Sequence, residues 1–299
     1  MTPQCTRQPR SSKGKNVKIA ITAVSGQLGA EIVKASLEML PDEDIIGLAR
    51  TPERAGNLGI EVRPGDYNDK DALEKSLQSV DKLLLVSGMD APDRRIEQHR
   101  NVIAAARHNG VKKIVYTSIQ GAEENTAFSP IVQSNRQTER DIAGSGLEWV
   151  VGRNGIYIEP DIAYIESYKK SGGIFNCAGE GKCGYTTRKE LAYAYTKMLI
   201  EDKHKSNTYN LHGEAITQYQ LADYLNSAFG TALTCSPLTI EAYRQARVAE
   251  LGEFIGNIIA GIYQGIREGA ADNPSHFVDA AGREHESWKT FFARIKSNA

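Results

Sequence analysis

The sequence of 299 residues predicts an α/β fold, with a doubly wound parallel sheet of the Rossmann type and a smaller C-terminal α/β lobe. From Val17 to Gly155, short apolar segments alternate with segments of helical periodicity. The apolar segments are non-polar on both faces, which is typical of parallel strands covered by helices on both sides. After Gly155 the alternation loosens and Tyr and Gly become frequent, so we expect the second lobe to begin there.

The first half of the chain is predicted to alternate strands and helices. Its helices are recognised by apolar residues three and four positions apart, such as Leu28, Ile32 and Val33 in the first of them. The predicted strands are Val17–Thr22, Ile45–Ala49, Ile60–Pro64, Lys82–Ser87, Lys113–Thr117 and Glu148–Gly152. The predicted helices are Gln27–Leu40, Asp69–Val80, Arg94–Asn109 and Ser134–Ser145. Right-handed crossovers between such strands give a sheet that binds ligands at the carboxyl ends of its strands.

The second half of the chain shows fewer regular segments. We expect helices over Arg188–Glu201, Thr217–Phe229 and Glu286–Ile295, strands over Thr208–Leu211 and Leu233–Leu238, a helical pattern interrupted by glycines over Glu241–Gly269, and a Gly-rich lid over Gly172–Gly184. The chain is therefore divided into a tail (1–16), a Rossmann-type domain (17–155) and a smaller lobe (156–299). Within that lobe, residues 188–212 are expected to return to the sheet.

Composition excludes several classes of function. The 36 Lys and Arg residues balance 37 Asp and Glu, so the basic footprint of a nucleic-acid binder is missing. No apolar run approaches the roughly 20 residues that span a bilayer. The four cysteines contain no CxxC pair, and the six histidines show no metal-ligand spacing. We expect a cytoplasmic protein with reduced thiols and no metal.

The first 16 residues form a segment of their own. They are polar, basic and free of acidic residues, which resembles a mitochondrial transit peptide in composition. However, they lack the apolar stripe of an amphipathic targeting helix. A disordered tail is therefore the favoured interpretation.

A glycine-containing turn follows the first predicted strand. Gly26 would let backbone N–H groups approach a pyrophosphate, and Gly29 would let the helix and strand pack closely. The predicted cofactor contacts in this turn are Ala23, Ser25, Gly26, Gln27 and Leu28. The alternative is a tight turn that binds no ligand.

The end of the second strand supplies an independent clue. A site that prefers NAD places Asp or Glu there to bond the ribose 2′-hydroxyl. This chain has Arg50 at that position and Arg54 four residues later. Because arginine is a permanent bidentate cation, it suits a 2′-phosphate. We therefore predict NADP(H) as the cofactor, with ordinary surface arginines as the alternative.

Further candidate residues follow the other strands of the predicted sheet. The predicted cofactor contacts there are Asp66 and Tyr67, Ser87 and Gly88, and Arg153, Asn154 and Gly155. Asp66 has the alternative role of a helix N-cap. Two residues are predicted to act in catalysis, Asn154 by orienting nicotinamide or substrate and Tyr157 as a wall of the pocket. Core packing is the alternative for Tyr157.

Conventional active sites are not found in the sequence. Tyr193 and Lys197 have the Tyr-x-x-x-Lys spacing of a short-chain dehydrogenase, and we interpret them as an ordinary helical pair. Gly-x-Ser-x-Gly and P-loop patterns are missing. His99 is interpreted as a packing or capping residue. What is left is hydride chemistry that belongs to a cofactor, for which the protein supplies orientation and a dry pocket.

Several motifs together resemble one family. They are SGQLG (25–29), LARTPERA (48–55), VRPGDYND (62–69), KLLLVSG (82–88), QHRNVIAAAR (98–107), GVKKIVYTS (110–118), RNGIY (153–157) and TTRKELA (186–192). The chain resembles the NmrA-like atypical short-chain dehydrogenase/reductases from about Val17 to Leu225, and in particular their bacterial NADPH:quinone oxidoreductase and triphenylmethane reductase members. The resemblance implies a monomer or homodimer that binds NADPH, and a lobe that closes a pocket over the nicotinamide. The implied partner is a small-molecule electron acceptor that is aromatic or conjugated.

Two positions depart from the family pattern. Ala23 stands where members usually have Gly, and a methyl group there is awkward if φ is positive. Asn135 stands where many relatives have Lys or His, four residues before Glu139. Because Asn is not an acid, proton-assisted carbonyl reduction is in doubt. The possible functions are a reductase of quinones or similar acceptors, a non-catalytic NADP(H)-sensing regulator, and a pathway-specific reductase of a carbonyl, imine or enol ether.

Overall fold

Strands and helices alternate through most of the chain in the computed structural model, which describes residues 17–298. The predicted N-terminal tail therefore lies outside the described residues. The strands are β1 (Ile19–Thr22), β2 (Ile45–Ala49), β3 (Glu61–Pro64), β4 (Lys82–Val86), β5 (Lys113–Ile119), β6 (Glu148–Asn154), β7 (Ile156–Tyr157), β8 (Gly173–Asn176), β9 (Cys183–Thr186), β10 (Asn207–Leu211), β11 (Ala215–Ile216) and β12 (Thr234–Pro237). The helices are α1 (Gln27–Leu37), α2 (Lys70–Ser76), α3 (Pro92–His108), α4 (Ser129–Ala143), α5 (Glu159–Ala163), α6 (Ile165–Ser171), α7 (Arg188–Ile200), α8 (Gln218–Phe229), α9 (Ile240–Leu251), α10 (Glu253–Arg267), α11 (Phe277–Ala281) and α12 (Trp288–Asn298).

A parallel sheet of seven strands forms the centre of the fold, in the order β10-β6-β5-β4-β1-β2-β3. This confirms the predicted Rossmann-type fold. The strand order reverses between β1 and β4, which pair through Ile19 and Lys82. In a doubly wound sheet, ligands bind outside the carboxyl ends of the strands at this reversal.

Two apolar clusters cover the two faces of the sheet. Side chains alternate along β1, so Ile19 and Ile21 belong to one cluster, which α1 and α7 cover, and Ala20 belongs to the other. The second cluster is covered by α2, α3 and α4. A fully buried Leu or Ile stabilises a fold by about 1.5–3 kcal/mol relative to exposure. This burial holds the carboxyl ends of the strands in fixed positions.

Some helix ends differ from the predicted ones for local reasons. Helix α4 begins at Ser129 and not at Ser134, because Pro130 occupies its first turn, where a missing N–H costs nothing. Helix α2 is capped by Asp69, which accepts a hydrogen bond from the backbone N–H of Ala72. The alternative cap role for Asp66 is therefore wrong.

The second lobe combines short strands with helices. β9 pairs with β7 and β11, and β8 pairs with β12. Most of the segment predicted as a lid (172–184) is buried in β8, β9 and their connection, so the lid prediction is wrong. The long helical pattern divides at Gly252, where φ is 80°.

Helix α7 and strand β10 follow the start of the second lobe in the chain but belong to the large sheet and its helical layer. Helix α7 packs beside α1, and β10 pairs in parallel with β6 from Asn207 opposite Val150 to Leu211 opposite Asn154. Within residues 17–298, helices long and apolar enough to cross a membrane are absent.

Candidate cofactor and active site

A cleft of about 510 Å³ lies at the carboxyl ends of β1 to β4. It is lined by nine of the predicted cofactor-contacting residues, Ala23, Ser25, Gly26, Arg50, Arg54, Asp66, Tyr67, Ser87 and Gly88. A second groove of about 580 Å³ adjoins it along Ser25 and Gly26, and Gln27 lies on this groove. The side chain of Leu28 is buried in the core beneath α1. Four separate strand ends therefore place the predicted residues around one cleft.

The turn between β1 and α1 leaves the start of the helix open. Gly26 is the N-cap, its N–H donates to the carbonyl of Ala23 at 2.9 Å, and neither a side-chain cap nor an acidic residue covers the first turn. A Cβ atom on Gly29 would overlap the Ala23 carbonyl oxygen and lie 2.8 Å from the carbonyl carbon. Free N–H groups at a helix start, together with the helix dipole, attract an anion.

Ala23 adopts the backbone conformation that the sequence analysis identified as awkward. Its φ is 53°, in the left-handed region. In this region an L-residue with a Cβ atom costs roughly 1–2 kcal/mol. The turn thus keeps the geometry of a glycine although the residue is alanine.

Arg50 and Arg54 are both exposed at the edge of the cleft. Neither side chain has a hydrogen-bond or ion-pair partner among residues 17–298. Asp66, across the cleft, accepts hydrogen bonds from the backbone N–H (2.9 Å) and the side chain (3.0 Å) of Asn68. Two free guanidinium groups at the end of β2 suit a phosphate dianion.

Tyr67 contributes its ring to the cleft while its hydroxyl lies inside the sheet. The hydroxyl donates to the carbonyl of Val86 at 2.8 Å and lies 2.5 Å from the hydroxyl of Thr22. The backbone N–H of Val86 donates to the same Thr22 oxygen at 2.9 Å. Burial raises the pKa of Tyr67. Tyr67 thus joins the ends of β1 and β4 through its hydroxyl.

His99 supports the turn at Ser87 and Gly88. The N–H of Gly88 donates to His99 Nε2 at 2.9 Å, and Nδ1 lies 2.9 Å from the hydroxyl of Thr138. Because Nε2 accepts, the ring is neutral and carries its proton on Nδ1. Burial lowers the pKa of His99 to about 3, and the charge of Arg95 adds to this. The interpretation of His99 as a packing residue is confirmed, with the added role of fixing the Gly88 turn.

Asn135 is fully buried beside the end of β4. Its amide donates to the carbonyl of Ile131 at 2.8 Å. Its Oδ1 accepts from the hydroxyls of Tyr116 at 2.6 Å and Ser87 at 3.1 Å. The residue that replaces Lys or His is therefore a fully bonded acceptor for hydroxyl groups.

Arg153 lies outside the residues that line the cleft. Its Nε and Nη2 atoms donate to the two carboxylate oxygens of Glu139 at 3.0 and 2.6 Å. Burial raises the pKa of Glu139, but hydrogen bonds from Arg153 and Ser118 and the charge of Arg136 outweigh it and leave this pKa below its usual value. The guanidinium of Arg153 is thus held by Glu139.

Gly155 is enclosed by the second lobe. A Cβ atom there would overlap the carbonyl oxygen of Gly184 and lie 2.7 Å from Cβ of His212. The glycine is therefore required by the approach of β9 to the sheet edge. A cofactor contact was predicted for Gly155, but the neighbour that requires a glycine here belongs to the protein itself.

Asn154 and Tyr157 are linked to each other and to α7. The Tyr195 hydroxyl lies 2.6 Å from Asn154 Oδ1 and 2.9 Å from the carbonyl oxygen of Gly152, and Asn154 Nδ2 donates to the Tyr157 hydroxyl at 3.3 Å. The guanidinium carbon of Arg188 lies 4.8 Å from the centre of the Tyr157 ring. Tyr195 and Arg188 were not predicted from the sequence, because the pattern of their helix does not indicate which of its residues face the sheet edge.

Comparison with known proteins decides the family. A model of the NAD(P)H-binding family matches residues 24–200. The chain belongs to this family. Quinone oxidoreductase 2 of Escherichia coli is 37% identical to it over 225 residues, which cover 74% of this chain and 78% of the relative. The predicted resemblance to quinone and triphenylmethane reductases is confirmed.

Two solved structures extend the likeness to nearly the whole chain. The NADPH-dependent quinone oxidoreductase of Escherichia coli, complexed with NADPH, has a TM-score of 0.85 at 31% identity and covers 93% of this chain and 99% of its own. The triphenylmethane reductase of Citrobacter sp., complexed with NADP(H), has a TM-score of 0.85 at 33% identity and covers 93% and 100%. This chain is an NAD(P)H-dependent oxidoreductase.

The cleft fits a reduced dinucleotide by its own geometry. The open start of α1 suits a pyrophosphate, and the glycine at position 29 allows the close turn beneath it. The unpaired Arg50 and Arg54 suit a further phosphate. Asn154 and Tyr157 lie further along the same sheet edge, outside the residues that line the two clefts, and Asn154 is buried. The pyrophosphate and the additional phosphate of a cofactor of the NAD(P)H family match the first two features.

Proposed function

We propose that this protein is an NADPH-dependent reductase that transfers hydride to a quinone or another conjugated small-molecule acceptor. The observation that carries the proposal is the pair of unpaired arginines, Arg50 and Arg54, beside the open start of α1. A second phosphate-binding position distinguishes NADPH from NADH. The quinone is suggested by the 37% identical quinone oxidoreductase.

Each part of the sheet edge would hold one part of the cofactor. The backbone of residues 23–28 would hold the pyrophosphate, and Arg50 and Arg54 the 2′-phosphate. Asp66 and Tyr67 would lie beside the adenine end. Residues 87–88 and 153–155 would lie beside the nicotinamide end. The short contacts of Gly88 with His99 and of Asn154 with Tyr195 keep these segments rigid, so little ordering would be needed on binding.

The catalytic roles follow from the nature of the chemistry. Reduced nicotinamide supplies a hydride, which carries two electrons and one proton, when it is bound. Asn154 would orient the nicotinamide or the acceptor by its amide, and Tyr157 would form one wall of the pocket. The protein's contribution is position and exclusion of water. As a monomer or homodimer, it would need no partner other than the small-molecule acceptor.

Oxidation of NADPH with a panel of quinones and other conjugated acceptors tests the proposal. We expect turnover with at least one quinone, and an NADPH requirement that weakens in Arg50→Ala. Tight NADPH binding with no turnover on any acceptor would reject the reductase and favour the NADP(H)-sensing regulator. Turnover confined to a carbonyl, imine or enol ether would reject the quinone and favour a pathway-specific reductase.

A further inference from the structure

The Tyr157 hydroxyl accepts a hydrogen bond but donates none to another described residue. Asn154 Nδ2 donates to the phenol oxygen at 3.3 Å. Within residues 17–298, no group accepts a hydrogen bond from this hydroxyl. Nearby hydroxyls differ, since those of Tyr116 and Ser87 donate to Asn135, and that of Ser118 donates to Glu139 at 2.6 Å.

The orientation of the Asn154 amide keeps this proton free. The Tyr195 hydroxyl lies 2.6 Å from Asn154 Oδ1 and 2.9 Å from the carbonyl oxygen of Gly152. Asn154 Nδ2 faces Tyr157, and an NH₂ group cannot accept the phenol proton. Tyr195 thus holds the Asn154 amide beside Tyr157.

Arg188 places the phenol beside the cofactor groove and next to a positive charge. Its guanidinium carbon is 4.8 Å from the ring centre of Tyr157, and the same side chain lines the groove that runs along Gly26 and Gln27. Tyr157 is half-buried. Burial raises its pKa and the charge of Glu159 adds to this, against smaller lowering effects from Asn154 and Arg188, so the phenol is protonated at neutral pH. Arg188 favours the phenolate left after proton loss, and Glu159, whose carboxylate lies 3.5 Å from Arg188, opposes it.

We propose that Tyr157 donates the proton that completes reduction of a quinone, which rests on the proposed function above. Reduction of a quinone to a hydroquinone takes two electrons and two protons. The hydride brings both electrons and one proton and leaves a hydroquinone anion. The Tyr157 O–H bond then breaks as its proton bonds to the anionic oxygen, and water returns a proton to the phenolate. The site would then contain one acid, the phenol of Tyr157.

The same inference predicts a difference between two classes of acceptor. A cationic triarylmethane dye gains a hydride at its central carbon and becomes neutral, so no further proton is needed. A quinone needs one. Loss of the Tyr157 hydroxyl should therefore slow quinone reduction much more than dye reduction, and this difference separates proton donation from simple packing.

The experiment compares wild type, Tyr157→Phe and Tyr224→Phe with a benzoquinone and a cationic triarylmethane dye. Phe keeps the ring beneath Arg188, and Tyr224 is a phenol that stacks on Phe292 far from the sheet edge. General acids contribute about 100-fold or more to a rate. We expect kcat for the quinone to fall about 100-fold in Tyr157→Phe, kcat for the dye to fall far less, and the solvent isotope effect on quinone reduction to change. Tyr224→Phe should match wild type on both acceptors.

Two measurements that do not depend on turnover complete the test. Fluorescence titration should give Tyr157→Phe an NADPH Kd close to that of wild type. In the cofactor-free protein labelled with ¹³Cζ-tyrosine, the signal that disappears in Tyr157→Phe should stay in its protonated position beyond the ordinary tyrosine pKa of 10.0. Titration of this signal below pH 7 would overturn the inference, because a phenolate cannot donate.

The outcomes separate the two proposals. If wild type reduces neither acceptor, the proposed function fails. If wild type reduces both acceptors, two results would reject proton donation by Tyr157 and leave the reductase in place. They are an equal loss of kcat on both acceptors in Tyr157→Phe, and no loss of kcat on either.

Discussion

Ala23 holds a left-handed backbone conformation, with φ 53°, at the turn that opens the cofactor cleft. A glycine adopts this conformation without a steric penalty. The carbonyl of the same residue accepts from the N–H of Gly26 at 2.9 Å, so the turn cannot relax without losing that contact. Strain at this position is therefore stored in the binding loop.

Ala23→Gly should relieve that strain. We expect the free energy of unfolding to rise by about 1 kcal/mol, because the removal of Cβ at a positive φ outweighs the greater freedom of glycine in the unfolded chain. Urea denaturation measures this change. Ala30→Gly, inside α1, is the matched control and should lower the free energy of unfolding by about 1 kcal/mol. A loss of stability in Ala23→Gly would contradict this account of the turn.

His99 should make stability depend on pH. Its pKa is lowered from 6.5 to about 3 by burial, so between these values the unfolded chain binds a proton that the folded chain does not. Acidification from pH 7 towards pH 4 therefore favours unfolding through this group. His99→Gln should show a smaller loss of unfolding free energy between pH 7 and pH 5 than wild type.

The control for that experiment is another histidine on the same helix. His108→Gln changes an exposed side chain at the end of α3, and its pH dependence should follow that of wild type. Equal pH dependence in wild type and His99→Gln would contradict the buried neutral ring.

The predicted cofactor residues mostly meet at one cleft, whereas the predicted catalytic residues lie outside it. Arg50 directly follows β2 and Arg54 comes four residues later, so their place was predictable from their order along the chain. The bond of Gly88 to His99 and that of Asn154 to Tyr195 join residues 11 and 41 positions apart. Such contacts depend on which helix covers which strand end, which local pattern does not specify.

At the scale of elements, the junction of β1 and α1 depends on Gly29. A Cβ atom at this position would overlap the backbone of Ala23. Gly29→Ala should lower the free energy of unfolding by about 2 kcal/mol, since backbone atoms cannot move aside as a side chain can. It should also weaken NADPH binding, because the same turn would hold the pyrophosphate.

Gly144→Ala is the control for Gly29→Ala. Gly144 has φ −82°, and a Cβ atom there would lie 3.4 Å from its nearest neighbour, the carbonyl oxygen of Arg140. We expect urea denaturation to show a change in the free energy of unfolding of no more than about 0.5 kcal/mol. Equal effects of the two substitutions would contradict the close approach of α1 to β1.

Helix α7 connects the second half of the chain to the proposed active site. It lies beside α1 on the large sheet and supplies Tyr195 and Arg188 to Asn154 and Tyr157. The helix itself was predicted within one residue, at Arg188–Glu201 against the observed Arg188–Ile200. Its role was not predictable, because an amphipathic pattern shows that a helix is half-buried but not what it touches.

At the scale of the whole molecule, parallel-sheet topology assembles one site from distant segments. Residues of the cleft come from the ends of β1, β2, β3 and β4, because the strand order reverses between β1 and β4. The fold was predictable because apolar strands separated by helices have few other arrangements that bury both faces of the sheet. The packing of Gly155 against β9 was not, because it depends on a second lobe whose strands are only two to four residues long.

Arg50 is proposed to recognise the phosphate that distinguishes NADPH from NADH. Titration of wild type, Arg50→Ala and the surface control Arg107→Ala with both nucleotides tests this recognition. A charged hydrogen bond contributes about 1.5–3 kcal/mol, so Arg50→Ala should bind NADPH roughly 10–100-fold more weakly and bind NADH as wild type does. Equal loss for both nucleotides, or no loss for either, would contradict the claim.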